Sequence, residues 1–117
     1  MVNESKPTAE VWSDERCFIT ELLNDSALPD VSVARTRVEP GVTTELHALS
    51  VIEWYLIESG HGLMRVGHDK PYPVGPGDTI HIPACCEQNI TNTADVDLLF
   101  LCVCVPRFTA AVYTSLE

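Results

Sequence analysis

Short β-type runs separated by turn residues constrain the fold of this chain most. "CFITEL" (17–22) and "VSVARTRV" (31–38) have strand composition, and "LMRVGH" and "TIHI" are two further short runs. The apolar run "VDLLFLCVCV" (96–105) predicts a strand buried on both faces or nearly so. No segment has helical periodicity over three turns. Many short strands at regular spacing predict an all-β sandwich or a closed barrel.

Turn residues divide the chain into these runs. "NDSALPD" (24–30) is a turn cluster, and Pro40-Gly41 is a break before two strands predicted around 43–49 and 52–58. Gly60-His61-Gly62 predicts a turn. "DKPYPVGPGD" (69–78), with three prolines and two glycines, predicts no regular structure. We expect residues 1–16 to form a flexible N-terminal arm and residues 17–117 to form one domain.

Composition excludes several partners. The chain has 117 residues, 7 basic and 17 acidic, with a net charge of −10 and only two lysines. Nucleic acid is therefore a poor partner, because phosphate binding needs clustered lysine and arginine. No apolar run approaches the roughly 20 residues that span a bilayer. The absence of a secretion signal, together with five cysteines in no CxxC pair, predicts a reducing cytoplasm.

The stretch from Gly41 to Gly60 carries the first motif. Gly41, five residues, His47, one residue, Leu49, three residues, Glu53, six residues and Gly60 resemble the first motif of the cupin family. In that motif, G-x5-H-x-H-x3-E-x6-G, the second histidine is the position that Leu49 occupies here. His47 and Glu53 match the family's metal-ligand positions.

The stretch "VGPGDTIHIPACCEQNITN" (74–92) resembles the second cupin motif. Pro76-Gly77-Asp78 matches the P-G-D turn, Ile82-Pro83 matches the next landmark, and Asn92 matches the closing asparagine. The family places a metal-binding histidine four residues before that asparagine, and here the position is Gln88. The two motifs follow each other in the family's order, and the resemblance covers roughly Val31 to Val105.

The resemblance implies a single-domain cupin jelly-roll β-barrel with a central pocket. Iron, manganese, nickel, zinc or copper are the metals that the family usually binds. Carried over to this chain, the metal ligands are His47, Glu53 and Gln88, with His81, Tyr55, Cys102 or Cys104 as further internal donors. A homodimer is implied in the same way.

Strand geometry independently supports the pairing of His47 with Glu53. Residues 47 and 49 lie on one face because side chains alternate along a strand, and a short turn returns position 53 to the same interior. An imidazole and a carboxylate in one pocket can hold a borderline divalent cation or act as an acid–base pair. His47 and Glu53 are therefore the predicted catalytic residues.

Further residues are candidates for the pocket wall. Tyr55 shares the face of Glu53, and Cys102 shares a face with Phe100; together with Leu49 and Gln88 they form the predicted substrate pocket. Arg35 and Arg37 lie on one face of a strand, either the pocket face or the outer face.

Two functions of different class follow. The first is a small metal-dependent cupin enzyme that acts on a compact, carbonyl-bearing organic substrate by isomerase, cyclase, lyase or dioxygenase chemistry. The second is a metal-free cupin, either an acid–base cyclase or isomerase or a small-molecule binding module.

Overall fold

Two antiparallel β-sheets face each other and enclose the core. The computed structural model describes residues 5–117. The first sheet has the order β1-β2-β3-β10-β5-β8 and the second the order β11-β4-β9-β6-β7. The strands are β1 (Val11–Ser13), β2 (Cys17–Leu23), β3 (Ser32–Val38), β4 (His47–Leu49), β5 (Ile52–Ser59), β6 (Gly62–Val66), β7 (Tyr72–Val74), β8 (Thr79–Ile82), β9 (Glu87–Asn92), β10 (Leu98–Val105) and β11 (Tyr113–Ser115).

The predicted all-β jelly roll is confirmed. Within residues 5–117 the helical structure amounts to one 3-10 turn, Ala110–Val112, and no helix there could cross a membrane. The two sheets are hydrogen-bonded separately, as in a sandwich, and do not form one closed ring of strands. Strand β1 lies inside the predicted arm, whose residues 1–4 are outside the described part of the chain. The boundary between arm and domain stays a prediction.

The strand predicted around 43–49 is shorter in the structure. Strand β4 begins at His47, because the two amides directly before it bond outside the sheet. The Glu45 N–H donates to the Glu15 carbonyl at 3.0 Å, and the Leu46 N–H donates to the Glu117 carboxylate at 2.7 Å. These two contacts attach the start of β4 to the β1–β2 turn and to Glu117.

The proline-rich stretch 69–78 is not wholly irregular, contrary to the prediction. Strand β7 forms within it and pairs with β6, with Pro73 opposite Leu63. Because β7 is the edge strand of its sheet, the missing N–H of a proline leaves no ladder hydrogen bond unmade.

Gly60 forms the predicted turn, whereas Gly62 already belongs to β6. Gly60 has φ +84°, and a Cβ there would lie 2.7 Å from the Asp97 carbonyl oxygen. Only glycine fits this approach. The last glycine of the first motif therefore lets β5 turn beside the start of β10.

The arginines of β3 lie on the outer face of the first sheet. Arg35 pairs with Glu58 at 2.8 Å, and Arg37 pairs with Glu10 at 2.7 Å and with Asp97 at 3.2 Å. Of the two alternatives, the outer face is the correct one. The opposite residues of β3, including Val38, turn inward.

The main core lies between the two sheets and borders a cavity. Its most buried side chains, each at most 1% exposed, come from strands of both sheets: Val38, Met64, Ile82, Ile90, Leu98 and Phe100. Burying such side chains contributes about 1.5–3 kcal/mol each.

Asn92 connects three segments of the chain. Its side-chain nitrogen donates to the carbonyls of Val38 and Val96 at 2.9 and 2.8 Å, and its side-chain oxygen accepts the Ala94 N–H at 2.9 Å. The side chain is 1% exposed. The closing asparagine of the second motif therefore has a structural role.

We expect Asn92→Ala to lower the free energy of unfolding by about 3 kcal/mol, because it leaves buried polar groups without partners. Urea denaturation measures this. Asn89→Ala, on the outer face of the same strand, is the matched control, and its change should stay within about 0.5 kcal/mol. Equal effects of the two variants would contradict the assignment.

Candidate functional site

A cavity of about 110 Å³ opens between the two sheets. Most of the residues predicted for the site from the sequence are in its lining: His47, Leu49, Glu53, Tyr55, Phe100 and Cys102. Their positions follow from strand alternation. His47 and Leu49 point inward from β4, and Glu53 and Tyr55 do so from β5.

The register of the strands brings these side chains together. On the first sheet β10 pairs with β5, so that Cys104 lies opposite Glu53 and Cys102 opposite Tyr55. On the second sheet β4 pairs with β9, so that His47 lies opposite Gln88. Inward residues of four strands therefore meet at one place between the sheets.

Gln88 lies behind the cavity wall, between Tyr55 and Glu53, and is fully buried. The Tyr55 hydroxyl donates to Gln88 Oε1 at 2.6 Å, and Gln88 Nε2 donates to Glu53 Oε1 at 2.8 Å. Its amide is thus engaged on both sides. This chain of hydrogen bonds fixes the direction of the Glu53 carboxyl.

The second oxygen of Glu53 faces a thiol. Cys104 Sγ donates to Glu53 Oε2 at 3.7 Å. Burial raises the pKa of Glu53 to about 7, and the hydrogen bonds from Gln88, Cys104 and Cys102 oppose that rise. The carboxyl therefore exchanges its proton close to neutral pH, although it is only 6% exposed.

The ring of His47 is held in one tautomer. Nδ1 lies 2.7 Å from the Glu45 carbonyl oxygen, which can only accept, so Nδ1 carries the proton and Nε2 keeps its lone pair. The ring stacks on Tyr113 with centroids 4.9 Å apart. Burial lowers the pKa of His47, and the neutral imidazole is favoured.

Glu15 is a residue of the site that the sequence motifs do not indicate. It lies on the turn between β1 and β2, lines the cavity, and places Oε1 3.7 Å from His47 Nε2. Burial, followed by the charges of Glu53 and Glu45, raises the pKa of Glu15 to about 7. Only the tertiary contact between this turn and the start of β4 brings it here.

Three free thiols line the cavity: Cys17, Cys102 and Cys104. Burial raises the pKa of Cys17 to about 12 and that of Cys102 well above its ordinary value. These thiols are therefore protonated at neutral pH and are weak nucleophiles. They act as small, weakly polar wall groups.

His81 lies outside the cavity. It is exposed on β8 and packs beside Trp54 on the outer face, with ring centroids 5.3 Å apart. It therefore does not compensate for Leu49 as an internal donor.

The predicted metal ligands can be tested against this geometry. Among residues 5–117 no group of three or more histidine, cysteine or carboxylate side chains is arranged to hold a metal ion. Gln88 Oε1 already accepts from Tyr55, its Nε2 points at Glu53, and Leu49 has no donor atom. Of the three predicted ligands only His47 and Glu53 keep a suitable donor atom, which is fewer than the three or four protein ligands of a zinc site. The donor set in this arrangement does not fit a metal, and the ligand roles stay a prediction of the resemblance.

Comparison with solved structures identifies the fold. A Klebsiella pneumoniae protein with a double-stranded β-helix domain is 17% identical, with TM-score 0.76 over 90% of this chain and 88% of that chain. The nucleoside dehydratase Pac13, from Streptomyces, is 17% identical, with TM-score 0.75 over 97% of this chain and 86% of that chain. Bacillus subtilis oxalate decarboxylase is 24% identical, with TM-score 0.77 over 93% of this chain but only 30% of that chain.

The family follows from the sequence itself. No curated protein sequence matches the chain significantly. The family model described as "Cupin domain" matches residues 34–104, which is more than half of the chain and includes both motifs. The chain belongs to the cupin family.

Proposed function

We propose that this chain is a metal-independent cupin enzyme that moves a proton on a compact, carbonyl-bearing organic substrate, with Glu53 as the acid–base group. The observation that carries the proposal is the buried Glu53 carboxyl, held in one direction by Gln88 and with a pKa of about 7. A general acid–base group is most effective when its pKa lies near the working pH.

The proposed step uses groups that line the cavity. Ionised Glu53 takes a proton from the carbon next to the substrate carbonyl, and the electrons of the broken C–H bond move toward the carbonyl oxygen. Protonated Glu53 then returns the proton at the same or a neighbouring atom. Such a transfer is common to isomerases, cyclases and lyases. His47, with a free lone pair on Nε2, is the second base in the cavity.

The structural relatives support an enzyme on this fold. Pac13 is a nucleoside dehydratase, and the other named relative is an oxalate decarboxylase. Both are enzymes that act on small molecules. We also propose that the protein is cytoplasmic and that it forms a homodimer.

A binding module is the second candidate, and the wall of the cavity favours it. Leu49, Phe100 and stacked Tyr55 give the cavity a mainly apolar surface. Such a surface can retain a small molecule without changing it. Turnover separates the two candidates.

Proton exchange in D₂O tests the enzyme directly. Compact neutral ketones and aldehydes are incubated with the protein in metal-depleted buffer, and loss of the proton signal next to the carbonyl is followed by NMR. We expect catalysed exchange by the wild type and a rate at least about 100-fold lower for Glu53→Gln, since general acid–base groups supply about 10²–10⁴-fold. Glu39→Gln, an exposed carboxyl change, is the control.

Exchange that needs an added divalent metal, or that survives in Glu53→Gln, would contradict this mechanism. Binding of ketones without any exchange would favour the binding module.

The pH dependence of stability tests the state of Glu53 without a substrate. The pKa of Glu53 is about 7 in the folded protein, against an ordinary value of 4.5 in the unfolded chain. Between these two pH values the folded protein therefore binds one proton more than the unfolded chain does. Stability therefore falls as the pH rises through this window. The shift corresponds to roughly 3 kcal/mol.

We expect wild-type protein to lose stability between pH 5 and pH 8 in urea denaturation, and Glu53→Gln to lose less by up to that amount. Glu15 contributes in the same direction, and His47, whose pKa burial lowers, contributes in the opposite direction, alike in both proteins. Glu39→Gln should behave as the wild type does. Identical pH profiles for wild type and Glu53→Gln would show that Glu53 has an ordinary pKa.

A further inference from the structure

The charged groups in the cavity lining are all acidic. Three glutamates line it, Glu15, Glu21 and Glu53, and none of the lysines and arginines among residues 5–117 does. An anion entering the cavity would lose its water shell without gaining a positive partner, which is unfavourable for a carboxylate or a phosphate.

The arginines of the chain have partners elsewhere. Four of them pair with carboxylates away from the lining: Arg16, Arg35, Arg37 and Arg65. The fifth, Arg107, donates to Asn24 Oδ1 at 2.8 Å. Asn24 is a lining residue, but Arg107 itself is not.

His47 presents a hydrogen-bond acceptor to the cavity. Its Nε2 carries the lone pair, and no side chain or backbone group of residues 5–117 donates to it, although the residue is only 3% exposed. The group that satisfies this acceptor must bring a proton of its own. An alcohol does so, whereas a carboxylate at neutral pH cannot.

Glu15 lies beside the same acceptor. Its Oε1 is 3.7 Å from His47 Nε2, so one substrate hydroxyl can lie within hydrogen-bond distance of both acceptors and donate its proton to either of them. The turn is held firmly: the guanidinium of Arg16 donates to the Thr43 carbonyl at 2.9 Å and to both Glu117 carboxylate oxygens at 2.8 and 2.7 Å. The position of Glu15 is thus fixed by its neighbour in the chain.

Aromatic rings form the remaining wall. Tyr55 stacks on Phe100 with centroids 4.4 Å apart, and Tyr113 and Phe108 complete the lining on the other side. A planar or apolar body packs well against such rings.

We infer that the cavity takes a hydroxyl-bearing molecule without negative charge, held at that hydroxyl by Glu15 and His47, and that it excludes carboxylates and phosphates. The inference rests on the proposed function in that it concerns the same cavity. It adds the substrate class and gives Glu15 a role in recognition, and it does not depend on which reaction follows.

Two probes of one shape test it: benzyl alcohol and benzoate, each titrated at pH 7.5 and followed by protein NMR at the His47 ring. We expect benzyl alcohol to bind and to shift the His47 signals, and benzoate to bind at least about 10-fold more weakly. A benzoate affinity equal to or above that of the alcohol overturns the inference. Failure of both probes to perturb His47 overturns it as well.

Two variants assign the hydroxyl contact. Glu15→Ala should weaken benzyl alcohol about 3- to 10-fold, the usual range for one hydrogen bond. Asp14→Ala, on the same turn, should leave it unchanged. Equal benzyl alcohol affinities of the two variants would show that Glu15 does not contact the hydroxyl. The order of the probes on wild-type protein needs no variant and stays informative if Glu15→Ala fails to fold.

These experiments measure binding alone. A selective cavity without ketone exchange would overturn the proposed enzyme and leave this inference standing. Ketone exchange by a protein whose cavity prefers benzoate would overturn this inference and leave the proposed enzyme standing.

Discussion

The buried carboxyl of Glu53 is the constraint on which the rest of the site depends. A carboxyl group with 6% exposure must be neutralised by a proton, a metal or a cation, or its burial is strongly unfavourable. No cationic side chain of the described residues lines this cavity. Gln88 and Cys104 donate hydrogen bonds to the carboxyl instead. Burial outweighs these bonds and raises the pKa of Glu53 to about 7, so that a proton neutralises the carboxyl at lower pH.

Two substitutions in the motif act together. Leu49 removes one donor from the family's ligand set, and Gln88 replaces a second with an amide that binds Tyr55 and Glu53. At these positions the structure has a hydrogen-bonded chain from Tyr55 through Gln88 to Glu53, which fixes the direction of the carboxyl.

Much of the site could be predicted from the sequence, because strand alternation and motif spacing determine which side chains face inward. His47, Leu49 and Glu53 lie where the first motif predicts them. The orientation of the Gln88 amide could not be predicted, because it depends on a hydroxyl 33 positions away in the chain. Glu15 could not be predicted either, since its place in the cavity depends on packing between the β1–β2 turn and the start of β4.

The fold was predictable for a similar reason, and its exceptions are local. The apolar run of β10 and the turn at Gly60 follow from composition and from backbone sterics. Strand β7 was not predicted, because a proline is compatible with a strand only at a sheet edge, and the order of strands in the sheet cannot be read from the sequence.

Elemental analysis by mass spectrometry, on protein purified without chelator and dialysed against equimolar manganese, iron, nickel, zinc and copper, measures whether the site holds a metal. We expect no transition metal near one equivalent per chain, and no difference between wild type and His47→Ala. One equivalent of a metal that is lost in His47→Ala, with the fold intact, would contradict it.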